Sequence, residues 1–231
     1  MTPSLDDVEF GPIYFAEEIL GFRLYPWQSE FLAWFEPALG RQVMATLATP
    51  NGAGKDTIII ATLALWWVSL HKMARVVITS KDARQIDEQT YPALERHRSK
   101  FGPNWKWLER HIETPTGAKI IMFTTDDAGR AEGFHKDKKA DGTDDPEGPV
   151  LIIVNEAKSV PEEIFTAIDR CTFNALLYAS STGSMSGRFY KSHAESRRLG
   201  FLRKQVGLLE CPHIGQDKIK RITAEYGENS P

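Results

Sequence analysis

Long apolar runs are scarce in this chain. The longest apolar-rich stretch, residues 58–70, carries Thr62 and Ser69 and falls short of the roughly 20 apolar residues a bilayer span needs. The first ten residues are acidic and lack the basic and apolar segments of a signal peptide. Cysteine is scarce too: Cys171 and Cys211 cannot build a disulfide framework, which fits a reducing compartment. Cys211-Pro212-His213 supplies half of a metal site, but a structural zinc site takes four ligands and no second pair stands at ligand spacing. Positive charge is not in excess, with 28 Lys and Arg against 31 Asp and Glu and a formal net charge of −3. A protein that coats nucleic acid through global basicity is thereby excluded, and any such contact must be a local patch. These absences imply a soluble, cytoplasmic protein with no membrane role.

At 231 residues, 42% hydrophobic and 26% charged, the chain is sized for one substantial core. The first forty residues read as helical, with Pro26 suited to the first turn of a second helix. From residue 43 onward short apolar runs alternate with helical patterns, and no internal repeat is present. Strands are expected at 43–48, 76–79, 119–124, 150–154 and 175–179, with an edge strand at 201–209. Helices are expected at 58–70, apolar nearly all round and therefore buried, at 81–97 with Pro92 as a kink or break, and at 161–170. The alternation predicts an α/β fold with a mostly parallel central sheet flanked by helices. Residues 136–147 carry no apolar side chain larger than alanine and are expected to be mobile. Three parts are expected: a helical segment 1–42, a core 43–210 and a helical linker 211–231.

The stretch Thr49-Pro50-Asn51-Gly52-Ala53-Gly54-Lys55-Asp56-Thr57 lies between the first strand and the first buried helix. A glycine-rich turn there presents unpaired backbone N–H groups to an anion, and an adjacent lysine adds a mobile charge, which together make a polyphosphate cradle. The usual pattern, G-x-x-x-x-G-K-[ST], is broken twice: Thr49 replaces the first glycine, and Asp56 replaces the hydroxyl that binds magnesium.

About one hundred residues later, the apolar strand 150–154 ends in Asn155-Glu156. In ATPases with a catalytic glutamate, the first polar residue here reaches the magnesium shell and the glutamate polarises the attacking water. The expected aspartate is Asn155, so the two departures read as one exchange: a carboxylate from Asp56 and a neutral amide from Asn155 would share the metal. A bare carboxylate about 4 Å from a phosphate charge costs roughly 4 kcal/mol at an effective dielectric near 20, so Asp56 makes sense with a cation between them. Thr57 is a second source of the hydroxyl by a one-residue shift. Two alternatives stay open: nucleotide bound without metal, and Asn155 as an engineered change.

The strand at 175–179 runs into Ser180-Ser181-Thr182-Gly183, a tip that can sense a γ-phosphate. Beyond it Arg188, Lys191, Arg197, Arg198, Arg203 and Lys204, mixed with Phe189 and Tyr190, suit either a nucleic-acid backbone or a solvated helix face.

In this order and spacing, the chain resembles the ATPase domain of phage large terminase subunits, the motors that package DNA. The resemblance rests on Tyr25-Pro26-Trp27-Gln28 as an adenine-sensing motif, residues 49–57 as the phosphate loop, residues 150–157 as the second motif, and Ser180-Ser181-Thr182 with the following Gly187-Arg188-Phe189-Tyr190 as the coupling region. It implies a P-loop NTPase fold with an additional catalytic-glutamate strand, using ATP and Mg2+. It implies that Gln28 and Tyr25 serve the adenine, that Pro50, Asn51, Gly52, Ala53, Gly54, Lys55, Asp56, Thr57 and Thr182 line the nucleotide, that Lys55 holds the β and γ phosphates, and that Glu156 activates water. Arg130 resembles a family arginine that contacts nucleotide in cis or from a neighbouring subunit, with Arg23 and Arg41 as rivals. Implied partners are double-stranded DNA, a portal protein, a small terminase subunit and further copies in a ring, in the host cytoplasm and transiently on the procapsid. The family's nuclease domain has no room here, so a truncated fragment without DNA cleavage is expected. A helicase-like ATPase and a non-hydrolysing assembly module are the alternatives.

Overall fold

Eight strands among the described residues form one mixed sheet in the order β3-β4-β5-β2-β6-β7-β1-β8. They are β1 Val43–Thr49, β2 Arg75–Ser80, β3 Lys106–Leu108, β4 His111–Glu113, β5 Lys119–Thr124, β6 Val150–Asn155, β7 Ala175–Ser181 and β8 Leu202–Gln205. The computed structural model describes residues 10–124, 148–183 and 185–215, together with 217, 220, 221, 224 and 225. From β5 across to β8 every pairing is parallel, and β3 and β4 add an antiparallel hairpin at the β5 edge.

The central strands are apolar because both sheet faces are covered. Along β6, Leu151 and Ile153 join the core on one face, while Val150, Ile152 and Val154 join the core on the other. The first face is capped by α1 (Pro12–Tyr14 continuing as Phe15–Ile19), α2 (Pro26–Ala33) and α3 (Lys55–Ile60 continuing as Ala61–Leu70). Residues 61–68 of α3 are all buried, as an all-round apolar helix requires. The second face carries α5 (Glu162–Asp169), whose Ile164, Phe165 and Ile168 are buried, and Phe189 of α6 (Gly187–Ala194). A short α7 (Ser196–Leu199) leads into β8.

Three details depart from the sequence pattern. The hairpin β3–β4 was not foreseen, because two three-residue strands carry no apolar run. Pro92 neither breaks nor divides its helix, α4 (Ala83–Gln85, Ile86–Thr90 and Tyr91–Glu95). The wide π-helical turn Ile86–Thr90 just before it absorbs the missing N–H, and Asp82 caps the start by accepting from Gln85 N at 2.9 Å. β7 runs two residues beyond its expected end, so Ser180 and Ser181 belong to the strand. No helix among the described residues is long and apolar enough to cross a membrane.

Strand alternation also sets up the chemistry. Asn155 follows Leu151 and Ile153 in parity, so its side chain faces the layer that contains α3. The loop after β1 and the tips of β6 and β7 gather at the carboxyl end of the parallel strands, where open α/β sheets bind ligands.

Candidate active site: a lysine shared by the loop and the glutamate strand

The loop between β1 and α3 turns on two glycines with left-handed backbones, Gly52 at φ 86° and Gly54 at φ 92°. Side chains rarely adopt that region, so glycine is required at both. Ala53 N donates to Pro50 O at 3.2 Å, and Ile58 N and Ile59 N both donate to Gly54 O, closing the first turn of α3. The loop lines a cleft of about 340 Å³, together with Lys55, Asp56, Thr57 and Glu156.

Lys55 is 7% exposed and fully engaged. Its ammonium donates to Asp56 Oδ2 at 2.7 Å and to Asn155 Oδ1, and pairs with Glu156 Oε1 at 3.0 Å. Asn155 is wholly buried, and its carboxamide is spent at both ends. Nδ2 donates to Asp56 Oδ1 and to Thr90 Oγ1 at 3.0 Å, while Oδ1 accepts from Lys55 and from Glu156 N at 3.0 Å. The partners fix its orientation, since turning it over would set its NH2 against an ammonium and its oxygen against a carboxylate. Thr90 Oγ1 donates in turn to Asp56 Oδ1 at 3.1 Å.

Glu156 holds a left-handed backbone at φ 51°, an uncommon and strained conformation for a side-chain-bearing residue. That kink lets consecutive residues point different ways: Asn155 into the α3 layer and Glu156 toward Lys55 and β7. Ser180 Oγ donates to Glu156 Oε2 at 3.3 Å. Lys158 spans the same gap, donating to Ser181 Oγ at 2.6 Å and to Thr182 O at 3.1 Å. The tips of β6 and β7 are thus stitched together beside the cleft.

Gln28 lies elsewhere. It is buried, accepts from Tyr25 N at 2.9 Å and donates to Ala53 O at 3.4 Å, so it closes the N-terminus of α2 and ties that helix to the loop. Among the described residues lining the cleft, neither Gln28 nor Tyr25 figures. Tyr25 instead stacks on His213, with centroids 5.4 Å apart and planes 7° from parallel, and His213 Nε2 donates to Gly52 O at 2.7 Å. Cys211, two residues before His213, is buried.

Arg130 lies outside the described residues. Arg23 and Arg41 are exposed and away from the cleft lining, which contains Arg96 instead. Sequence reading passed over Arg96, Glu88 and Gln89, because nothing separates them from the other polar residues of α4. Thr90 was missed likewise, as one hydroxyl in a polar helix. Much of the basic tract is occupied internally: Arg188 pairs with Glu162 at 2.7 Å and Asp169 at 2.9 Å, Arg198 pairs with Glu195, and Lys204 reaches Glu30 at 2.8 Å.

No group of three or more His, Cys, Asp or Glu side chains able to hold a metal is present among the described residues. The donors at the loop nonetheless suit magnesium, which takes one or two protein carboxylates and completes its shell with phosphate oxygens and water. Asp56 offers one such oxygen once Lys55 leaves it.

A glycine-turned loop after β1, a glutamate at the tip of β6 and an extra strand, β7, between them give the sheet the arrangement of a P-loop-type fold with an additional strand. Within that class the chain has the fold of the ATPase domains of phage large terminases. The large terminase of the thermophilic bacteriophage D6E superposes with a TM-score of 0.67 at 13% identity, over 89% of this chain and 51% of that one. That of bacteriophage HK97 gives 0.67 at 14% identity, over 94% and 51%. The isolated ATPase domain of the Thermus phage P74-26 large terminase gives 0.55 at 13% identity, over 95% of both chains. The chain therefore spans about half the length of the D6E and HK97 proteins. The D6E terminase has been solved with ADP and with ATP-γ-S. No protein-family model and no curated protein matches the sequence.

Proposed function

We propose that this chain is the ATP-hydrolysing motor domain of a viral DNA-packaging terminase. The observation that carries the reading is Lys55, at the base of the loop, paired at 3.0 Å with Glu156 at the tip of β6. In this arrangement the ammonium neutralises the glutamate. Bound β and γ phosphates draw Lys55 toward themselves, and Glu156 Oε1 is released to accept a proton from water aligned on the γ-phosphorus. Ser180, holding Oε2, keeps the carboxylate on its strained backbone while this happens. Gly52 and Gly54 present backbone N–H groups to the phosphates. Mg2+ would be held by Asp56, with Thr57 as a hydroxyl donor, and would supply charge neutralisation between the β and γ phosphates.

Loss of the γ-phosphate alters the company of Glu156, and the stitching by Ser180 and Lys158 passes that change to Ser181 and Thr182. The same proposal includes coupling to double-stranded DNA, in a ring of copies on a portal protein with a small terminase subunit, in the host cytoplasm and on the procapsid. Arg130 is the proposed finger: Arg130→Ala should lose turnover and keep nucleotide affinity.

Turnover measured across a magnesium titration, with and without duplex DNA, tests the reading. A packaging motor gives magnesium-dependent hydrolysis. Binding without hydrolysis at any magnesium concentration would favour an assembly module, and turnover that requires single-stranded DNA a helicase-like enzyme.

A further inference from the structure

Asp56 and Asn155, one at the base of α3 and the other at the end of β6, are in direct contact. Each also departs from the pattern its position normally carries, and each would be a misfit without the other. An aspartate at 155 would face the Asp56 carboxylate with no proton between them. A serine or threonine at 56 would leave the Asn155 NH2 facing a hydroxyl instead of a carboxylate.

We propose that the two residues form a single reciprocal unit, in which the cation-facing carboxylate has moved onto the phosphate loop and Asn155 positions it. The inference rests on the nucleotide-binding reading above. Every hydrogen-bonding position of the Asn155 carboxamide is committed: two donors to Asp56 Oδ1 and Thr90 Oγ1, and an oxygen accepting from Lys55 and from Glu156 N. When Lys55 leaves, Oδ1 keeps its bond from Glu156 N and Nδ2 keeps both of its acceptors, so the amide stays fixed as the support of Asp56. Asp56 brings the charge. Its Oδ1 is held by Asn155 and Thr90, while Oδ2 is bonded to Lys55 Nζ, the group that bound phosphates draw away. Lysine departure therefore exposes one oriented carboxylate oxygen beside the phosphates, and Asn155 and Thr90 keep the other oxygen from swinging into its place. Asn155 also accepts from Lys55, so the same amide sets the resting position of both the lysine and the aspartate. It is a positioning residue for both.

Asp and Asn are nearly isosteric, which makes a clean set of four proteins: the natural chain, D56N, N155D and the exchange D56N/N155D. In cation-free buffer, denaturant unfolding reads the coupling directly. N155D confronts two carboxylates and deletes both donors, so it should unfold far more readily, whereas D56N/N155D again pairs one carboxylate with one amide and should recover most of the loss. Residues sharing one hydrogen-bond network couple strongly, so about ten- to a hundredfold in the unfolding constant is expected beyond the sum of the single changes.

Calorimetric titration with ADP, with and without Mg2+, reads the cation role. The natural chain should bind ADP more tightly with Mg2+, D56N should lose that gain, and the exchange should regain it. Single effects that simply add in the unfolding series would overturn the unit. A D56N protein that keeps the magnesium gain would overturn the carboxylate assignment. Should the natural chain fail to bind ADP, the nucleotide reading and the cation role fall together, and the cation-free cycle still decides whether 56 and 155 act as one.

Discussion

Replacing Gly54 by alanine is the sharpest structural perturbation of the loop, and Gly52 provides its internal control. Both glycines have left-handed backbones, φ 92° and 86°, and each alanine takes on the cost of that region, about 1–2 kcal/mol. Their surroundings differ. A Cβ on Gly52 meets nothing within 4 Å, whereas one on Gly54 would lie 3.1 Å from Ile58 Cδ1 and 3.3 Å from Gln28 Nε2. Gln28 does not yield easily, being buried and bonded to both Tyr25 N and Ala53 O, whereas the partly buried Ile58 methyl can shift. Crowding of this kind in a packed site costs about 1–3 kcal/mol more. Gly54→Ala should therefore be less stable than Gly52→Ala by at least about 1 kcal/mol in urea unfolding at equal m-value. Equal stability of the two variants would mean that the α2–loop contact through Gln28 is not tight, and would refute the assignment of Gln28 as the tie between them.

Two further predictions concern charge. Burial against Trp66 and Trp67 pushes His71 down to about 4 from its ordinary value of 6.5. As pH falls from about 6.5 toward 4, the unfolded chain takes up a proton that the folded one refuses, so stability drops by about 2–3 kcal/mol on account of His71; His71→Gln should remove that share and leave the share of His97, which burial also lowers to about 4, as followed by denaturant midpoints at pH 7 and 4.5. Arg188 is bound to Glu162 and Asp169 on a partly exposed surface, so Arg188→Ala should cost no more than about 1 kcal/mol of stability. It should leave the salt slope of DNA binding unchanged, where loss of a real phosphate contact would reduce the slope by about 1.

Much of the fold is legible in the sequence because its central strands are apolar on both faces and its turns are glycine-marked. The strand 150–154, the buried helix after Lys55 and the loop 49–57 all announce themselves in this way. The hairpin β3–β4 does not, since pairing at a sheet edge needs little burial, with only Ile112 fully buried among its six residues. Site chemistry divides similarly. Lys55 and Glu156 follow from motif spacing, but the bonds of Asn155 depend on strand parity, on the kink at Glu156 and on Thr90 arriving from α4, three features no local pattern encodes. Gln28 shows the converse: a polar residue at a meaningful position whose side chain is used within the fold.

The central claim is that Glu156 is the base poised by Lys55, and the isosteric change Glu156→Gln tests it most directly. Nucleotide affinity and magnesium-dependent turnover should be measured side by side on the natural chain and the variant. The account predicts retained ADP affinity with turnover reduced by about 10²- to 10⁴-fold, the range for a lost general base. Unchanged turnover in Glu156→Gln would contradict it.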